Sequence, residues 1–196
     1  MIIIPVHRLQ DKTDIGFQLK SFDPEDDDHI QSEALGAHRD DYYVFFLLLK
    51  GAGSAVVDFK EKTVGAGHLY YILPEQIHYR IKTTKAEGWF IAADPSLIDT
   101  RCRDVFESWS GFQEPIALSD PNVRDYDQLL SIIYRKKADH SVNDMSITVL
   151  HSLLRGFFEM AANDFRMAKH FESNNSRHAE LSLKFKNLLN STLSDS

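Results

Sequence analysis

In the first half of the chain, apolar residues come in short runs rich in β-branched and aromatic side chains. These runs are Gly16 to Phe22, Tyr42 to Leu49, Ser54 to Phe59, His68 to Leu73, His78 to Lys82 and Gly88 to Ala92. Turn signals fall between them at Gly51-Ala52-Gly53, Gly65-Ala66-Gly67 and Pro74-Glu75-Gln76. Regularly spaced short strands with such punctuation predict a β-sandwich or barrel. The apolar start of the chain, stopped by Pro5 and running to Arg8, predicts one further strand.

After a transition from Ala93 to Asp120 the period lengthens. Ser119-Asp120-Pro121 places a cap residue just ahead of a proline, which is a helix-start signature. Tyr126, Leu129, Leu130 and Ile133 then predict a helix over about residues 123–137. A longer helix is expected to begin after Asn143 or Asp144, carrying Val149, Leu150, Leu153, Leu154, Phe157, Phe158, Ala161 and Phe165 at helical spacing. That stripe is wider than one face needs against a small barrel. The surplus either meets a partner helix or belongs to the chain's own core. A polar break over Glu172 to Ser176 precedes a last apolar face of Leu181, Phe185, Leu188 and Leu189. The chain thus divides into a mainly β part, residues 1–118, and a helical part, residues 119–196, whose Leu150, Leu154, Phe157 and Phe158 are the candidate dimer contacts.

Composition works mostly by exclusion. The 196 residues are 43% hydrophobic and 26% charged, ordinary for a globular chain. Lys and Arg number 22 against 29 Asp and Glu, a net charge of -7, which opposes binding to a phosphate backbone. The one pronounced charge run, Asp23 to Asp28, is acidic and reads as a solvated loop. A single cysteine, Cys102, allows no intramolecular disulfide and fits a reducing compartment. No apolar stretch approaches the roughly 20 residues of a membrane helix, so the expected location is the cytoplasm, away from membranes. Cys102 lies between Arg101 and Arg103 without a base and orienting group, and neither glycine-rich turn sits at a strand-to-helix junction. The residues therefore give no support to nucleophilic catalysis or nucleotide binding.

The stretches Gly36 to Gly51 and Gly65 to His78 resemble the two cupin motifs, and the cupin jelly-roll β-barrel agrees with the strand pattern. In the metal-binding members the first motif supplies two histidines and a glutamate, and the second a histidine. Here His38 and His78 match, while the second histidine is replaced by Asp40 and the glutamate by Val44. His38 and Asp40, two apart on a strand, share a face. The enzyme alternative is a metal-dependent cupin, an isomerase or dioxygenase using His38, Asp40 and His78.

The same departures give the leading expectation. His38 to Gly53 followed by Leu69 to Ile81 is similar to the sensor domain of AraC-family transcriptional regulators, whose cupin barrel usually binds a small effector and no metal. In that family a helix pair after the barrel mediates dimerisation, and a segment like Leu181 to Leu189 leads into a DNA-binding helix-turn-helix domain. Only Ser194, Asp195 and Ser196 follow Leu193, so this chain is expected to reach DNA only through a domain it lacks. The resemblance implies a homodimeric, non-enzymatic regulatory domain with no resident cofactor or metal, responding to a small effector such as a sugar or organic acid.

Strand alternation supplies the candidate effector contacts. If His38 points inward, then Asp40, Tyr42, Val44, Phe46, Leu48 and Lys50 follow wherever no bulge intervenes. On the facing strand His78 inward implies Arg80 inward, and Trp89 or Phe90 offers an aromatic platform. The expected effector set is His38, Asp40, Tyr42, Phe46, Lys50, His78, Arg80 and Trp89. Apolar walls with a few convergent polar groups are what small-ligand sites look like, and Lys50 and Arg80 are suited to a carboxylate or phosphate.

Overall fold

The computed structural model describes residues 4–23, 36–108, 113–138 and 144–175, without the side chains of Arg80 and residues 170–175. Eight strands precede or accompany three helices. The strands are β1 (Val6–His7), β2 (Phe17–Phe22), β3 (Arg39–Asp40), β4 (Tyr43–Val57), β5 (Lys60–Gly65), β6 (His68–Ile72), β7 (His78–Ala93) and β8 (Ile116–Ala117). The helices are α1 (Thr100–Glu107), α2 (Asp120–Ala138) and α3 (Asp144–Asn175).

The chain is mainly β with C-terminal helices, as its pattern predicts. Six strands form one antiparallel sheet in the order β2-β7-β4-β6-β8, with β5 pairing β4. β1 and β3 pair in parallel as a separate two-stranded piece. Among the described residues the outer strands β2 and β8 do not pair with each other, so the sheet is not closed into the expected barrel.

One predicted turn is not a turn. Gly51-Ala52-Gly53 lies inside β4, where register shifts against β7 flank it. Gly51 has φ +72, and a Cβ there would collide with the Lys85 carbonyl, so glycine lets the two long strands stay paired across an irregularity. The runs Tyr42 to Leu49 and Ser54 to Phe59 therefore belong to one strand, and His78 to Lys82 and Gly88 to Ala92 to another. The reversal after β4 falls at Asp58-Phe59, where φ is 46 and 66. β5, which the hydrophobic pattern missed, follows at once.

One face of the sheet meets the helices. Phe45, Leu47, Tyr71, Trp89 and Ile91 pack there against Phe106 of α1, Tyr126 and Leu130 of α2, and Leu154, Phe157 and Phe158 of α3. The cluster crosses the 118/119 boundary, so sheet and helices share one core. α1 was not anticipated. Asp99 caps it by accepting the Arg101 N–H at 2.9 Å, and Cys102 and Phe106, one turn apart, are its buried stripe. α3 runs to Asn175, through Glu172-Ser173-Asn174 where a polar break was expected. The predicted last apolar face, Leu181 to Leu189, lies outside the described residues, as do residues 24–28 of the acidic run.

Leu150, Leu154, Phe157 and Phe158 are corrected by this packing. All are at most 1% exposed within a single chain. The wide stripe is needed because α3 contacts α1 and α2 as well as the sheet. These four residues are core and present nothing to a partner.

Candidate functional site

The other face of the sheet lines a cavity of about 330 Å³. Strand alternation builds its wall. Val44, Phe46 and Leu48 of β4 point into it while Phe45 and Leu47 point to the helices. Register shifts between Leu48 and Ala52 reverse the parity, so that farther along the same strand Gly53 and Ala55 line the cavity. β7 shows the same behaviour. Phe90 pairs with Phe46 and shares its face, whereas beyond the shift opposite Lys50 and Ala52 the inward residues are Thr83 and Ile81. Phe22, Val64 and Tyr70 complete the apolar lining.

Four polar groups cluster on this lining. His38 and His78 form an antiparallel bridge, His38 N–H donating to the His78 carbonyl at 3.2 Å and His78 N–H to the His38 carbonyl at 3.0 Å. Their rings sit edge to face, 4.2 Å between centroids. Asp40, two residues along, places Oδ2 3.2 Å from His78 Nε2. Because β1 runs beside β3 with His7 opposite Asp40, the His7 ring stacks on His38 at 4.4 Å and its Nδ1 lies 3.6 Å from Asp40 Oδ1. Each of the two bridge imidazoles is oriented from behind: His38 Nδ1 donates to the Gly36 carbonyl at 3.0 Å and His78 Nδ1 to the Gln76 carbonyl at 3.1 Å.

The electrostatics follow from burial and from these partners. Burial lowers the His38 pKa and the neighbouring His78 adds to this, outweighing the Gly36 hydrogen bond and Asp40, which act in the opposite sense. At Asp40 burial pushes the pKa up, but the hydrogen bond and charge of His78, with help from His38 and Tyr42, hold the carboxyl below its usual range. Asp40 is thus an ionised carboxylate, 3% exposed, among imidazoles. Lys12, Lys20 and Lys82, each solvent-exposed, bring positive charge to the cavity mouth.

Of the expected effector set, His38, Asp40, Phe46 and His78 line the cavity together. Tyr42 is buried beside them and its hydroxyl takes a hydrogen bond from Lys12, but it does not reach the lining. Lys50 lies away from it, 2.6 Å from Glu87, its side chain 71% exposed, because the parity change in β4 removes it from the inward series. Trp89 is on the helix face. It pairs with Leu47, its Nε1 donates to Asp127 Oδ1 at 2.7 Å, and its ring meets Tyr134. Phe90 is the aromatic that faces the cavity. The Arg80 side chain lies outside the described residues.

Sequence reasoning missed His7, Lys12 and Tyr70. The strand containing His7 was legible, but its parallel partner β3 is far along the chain and has no local signal. Tyr70 sits in a run, Leu69 to Ile72, that is buried on both faces, so alternation of polarity does not separate its two sides.

No curated protein matches this sequence. Among solved structures the chain is similar to the AraC-like transcriptional activator CuxR, at 11% identity and a TM-score of 0.41, over 64% of this chain and 42% of that one. It is similar to an apo ToxT variant from Vibrio cholerae at 10% identity and TM-score 0.41, over 77% of this chain and 57% of that one. Oxalate decarboxylase from Bacillus subtilis matches at 19% identity and TM-score 0.27, over 31% of this chain and 18% of the enzyme. The chain therefore spans less than two thirds of each of these proteins. The family model for the AraC-like ligand binding domain matches residues 21–154. That match takes in most of the sheet that walls the cavity, all of α1 and α2 and the start of α3, and by it the chain belongs to the AraC-like ligand-binding domain family.

Proposed function

We propose that this domain is the effector sensor of a transcriptional regulator, working in the cytoplasm as a homodimer and controlling an attached helix-turn-helix domain. The observation that carries the reading is the cavity itself: an apolar wall of Val44, Phe46, Leu48 and Phe90, a histidine–aspartate cluster, and exposed lysines at the mouth. Its chemistry favours a small organic acid with an apolar body over a sugar, whose many hydroxyls would need more partners than this wall supplies. In this reading Phe46 and Phe90 cover the apolar body, His38 and His78 hydrogen-bond a polar group, and Lys12 and Lys20 draw the anionic end.

The dimer reading moves to a different face of α3. Met145 and Val149, one turn apart, are 73% and 41% exposed, and a side chain at Gly156 would meet nothing within 4 Å. An exposed apolar stripe on a helix is suited to pairing with its copy. Effector binding would regulate the attached domain only if two dimer arrangements bind it with different affinity.

Octanoate and octanol test the cavity chemistry. Octanoate is expected to raise Tm more than octanol, and the combined Lys12→Ala and Lys20→Ala variant is expected to remove the difference. A ligand at about 100 times its Kd adds about 2.7 kcal/mol of stability, well within thermal-shift detection. No shift with either compound would remove the support for an apolar organic acid.

A further inference from the structure

We propose that His7, His38 and Asp40 form a three-ligand site for a divalent transition-metal ion, with a remaining coordination position open to the cavity. One ligand atom from each of the three lies within 4.8 Å of the others. His7 Nδ1 and Asp40 Oδ1 are 3.6 Å apart, while two ligands on one tetrahedral zinc ion stand about 3.3 Å apart. Closing the site needs the stacked His7 and His38 rings to turn so that their ligand nitrogens converge on Asp40 Oδ1.

The strongest observation is an orphaned oxygen. Asp40 is 3% exposed, yet its Oδ1 has no hydrogen-bond partner, and it is the oxygen turned toward His7. A buried carboxylate oxygen without a partner is costly. A cation held between Asp40, His7 and His38 removes that cost.

The surroundings suit a metal as well. The Gly36 carbonyl holds His38 Nδ1–H, which leaves Nε2 as the ligand atom, and a carbonyl behind a ligating histidine is the usual outer support. His78 Nε2 occupies the other Asp40 oxygen and orients the carboxylate without itself joining the set. Two imidazoles and one carboxylate suit zinc and other first-row ions. Since all three residues line the cavity, an added ligand such as water or an effector's carboxylate completes the shell from that side. The ion would also tie β1, through His7, to β3.

The proposal is independent of the effector reading, and zinc alone tests it. The full chain is dialysed against zinc, then against metal-free buffer, and assayed for retained metal beside His7→Ala, His38→Ala and His68→Ala variants. One zinc per chain is expected in the unmodified protein and in His68→Ala, with loss in the other two. Long-range proton–nitrogen spectra of the histidine rings of the unmodified protein give a second reading that needs no variant. Zinc is expected to shift the ring nitrogens of His7 and His38 most. Failure of the folded protein to retain zinc, or shifts centred on other histidines, overturns the site.

Discussion

Asp40 Oδ2 lies 3.2 Å from Nε2 of His78, two buried groups that reach each other from β3 and the first residue of β7. The contact joins the small β1-β3 pair to the main sheet at the polar part of the cavity. Removing one partner of a buried hydrogen bond is costly because the other group is left unsatisfied. Asp40→Asn keeps the shape and loses the charge. It is expected to cost about 1.5–3 kcal/mol in urea unfolding, the range for hydrogen bonds to charged groups. An unchanged midpoint would show that His78 does not depend on the carboxylate.

Phe157 is 0% exposed, with Phe45 and Tyr126 rings 5.5 and 5.6 Å away. Phe157→Ala is expected to destabilise the chain by about 3–5 kcal/mol, as for other large-to-small core changes. The measurement is urea unfolding beside sedimentation. A fully stable, monomeric variant would instead return Phe157 to a dimer seam.

Val149→Glu places a charge on the exposed stripe of α3, at a position outside the buried core. The expected result is a folded chain of unchanged Tm at low concentration that sediments as a monomer, where the unmodified chain sediments as a dimer. A dimer that survives this change combined with Met145→Glu would rule out the stripe as the seam.

Burial pushes the Cys102 thiol from its ordinary 9.0 up to about 11, and Glu159 adds to the shift. Below pH 9 the thiol is protonated in both folded and unfolded chains, and its contribution to stability is fully present. Between pH 9 and 11 only the unfolded chain ionises, so that contribution is lost as pH rises. Iodoacetamide is therefore expected to modify Cys102 slowly at neutral pH in the native protein and fast in urea. Native labelling at the rate of a free thiol would contradict its burial.

Much of this arrangement was legible in the sequence because the side-chain period of a strand is two. His38 and His78 stand out by the cupin resemblance, alternation from His38 adds Asp40 and Phe46, and the four line one cavity. Alternation failed where the chain interrupts it. Lys50 was placed inward by counting through an irregularity that Gly51 makes possible, and one extra residue turns every later side chain over. Adjacent aromatics left the choice between Trp89 and Phe90 to the register: pairing with Leu47 puts Trp89 against the helices, where it hydrogen-bonds Asp127. The width of the α3 stripe was read correctly. Its cause is contact with two further helices, one of which, α1, is eight residues long and too short for its period to stand out. His7 was out of reach because its neighbours come from a parallel pairing with distant residues.

The central claim is that the cavity on the free face of the sheet binds a small molecule. The most direct measurement is the fluorescence of anilinonaphthalene sulfonate, an apolar anion, with the unmodified chain and with Ala55→Trp, whose indole would fill the cavity from its wall. Both proteins are first shown to unfold cooperatively, so that a loosened core does not supply the signal. Saturable binding at one site per chain, competed by octanoate and abolished in Ala55→Trp, is the predicted result. Binding of equal strength in the filled variant, or none in the unmodified chain, would contradict it.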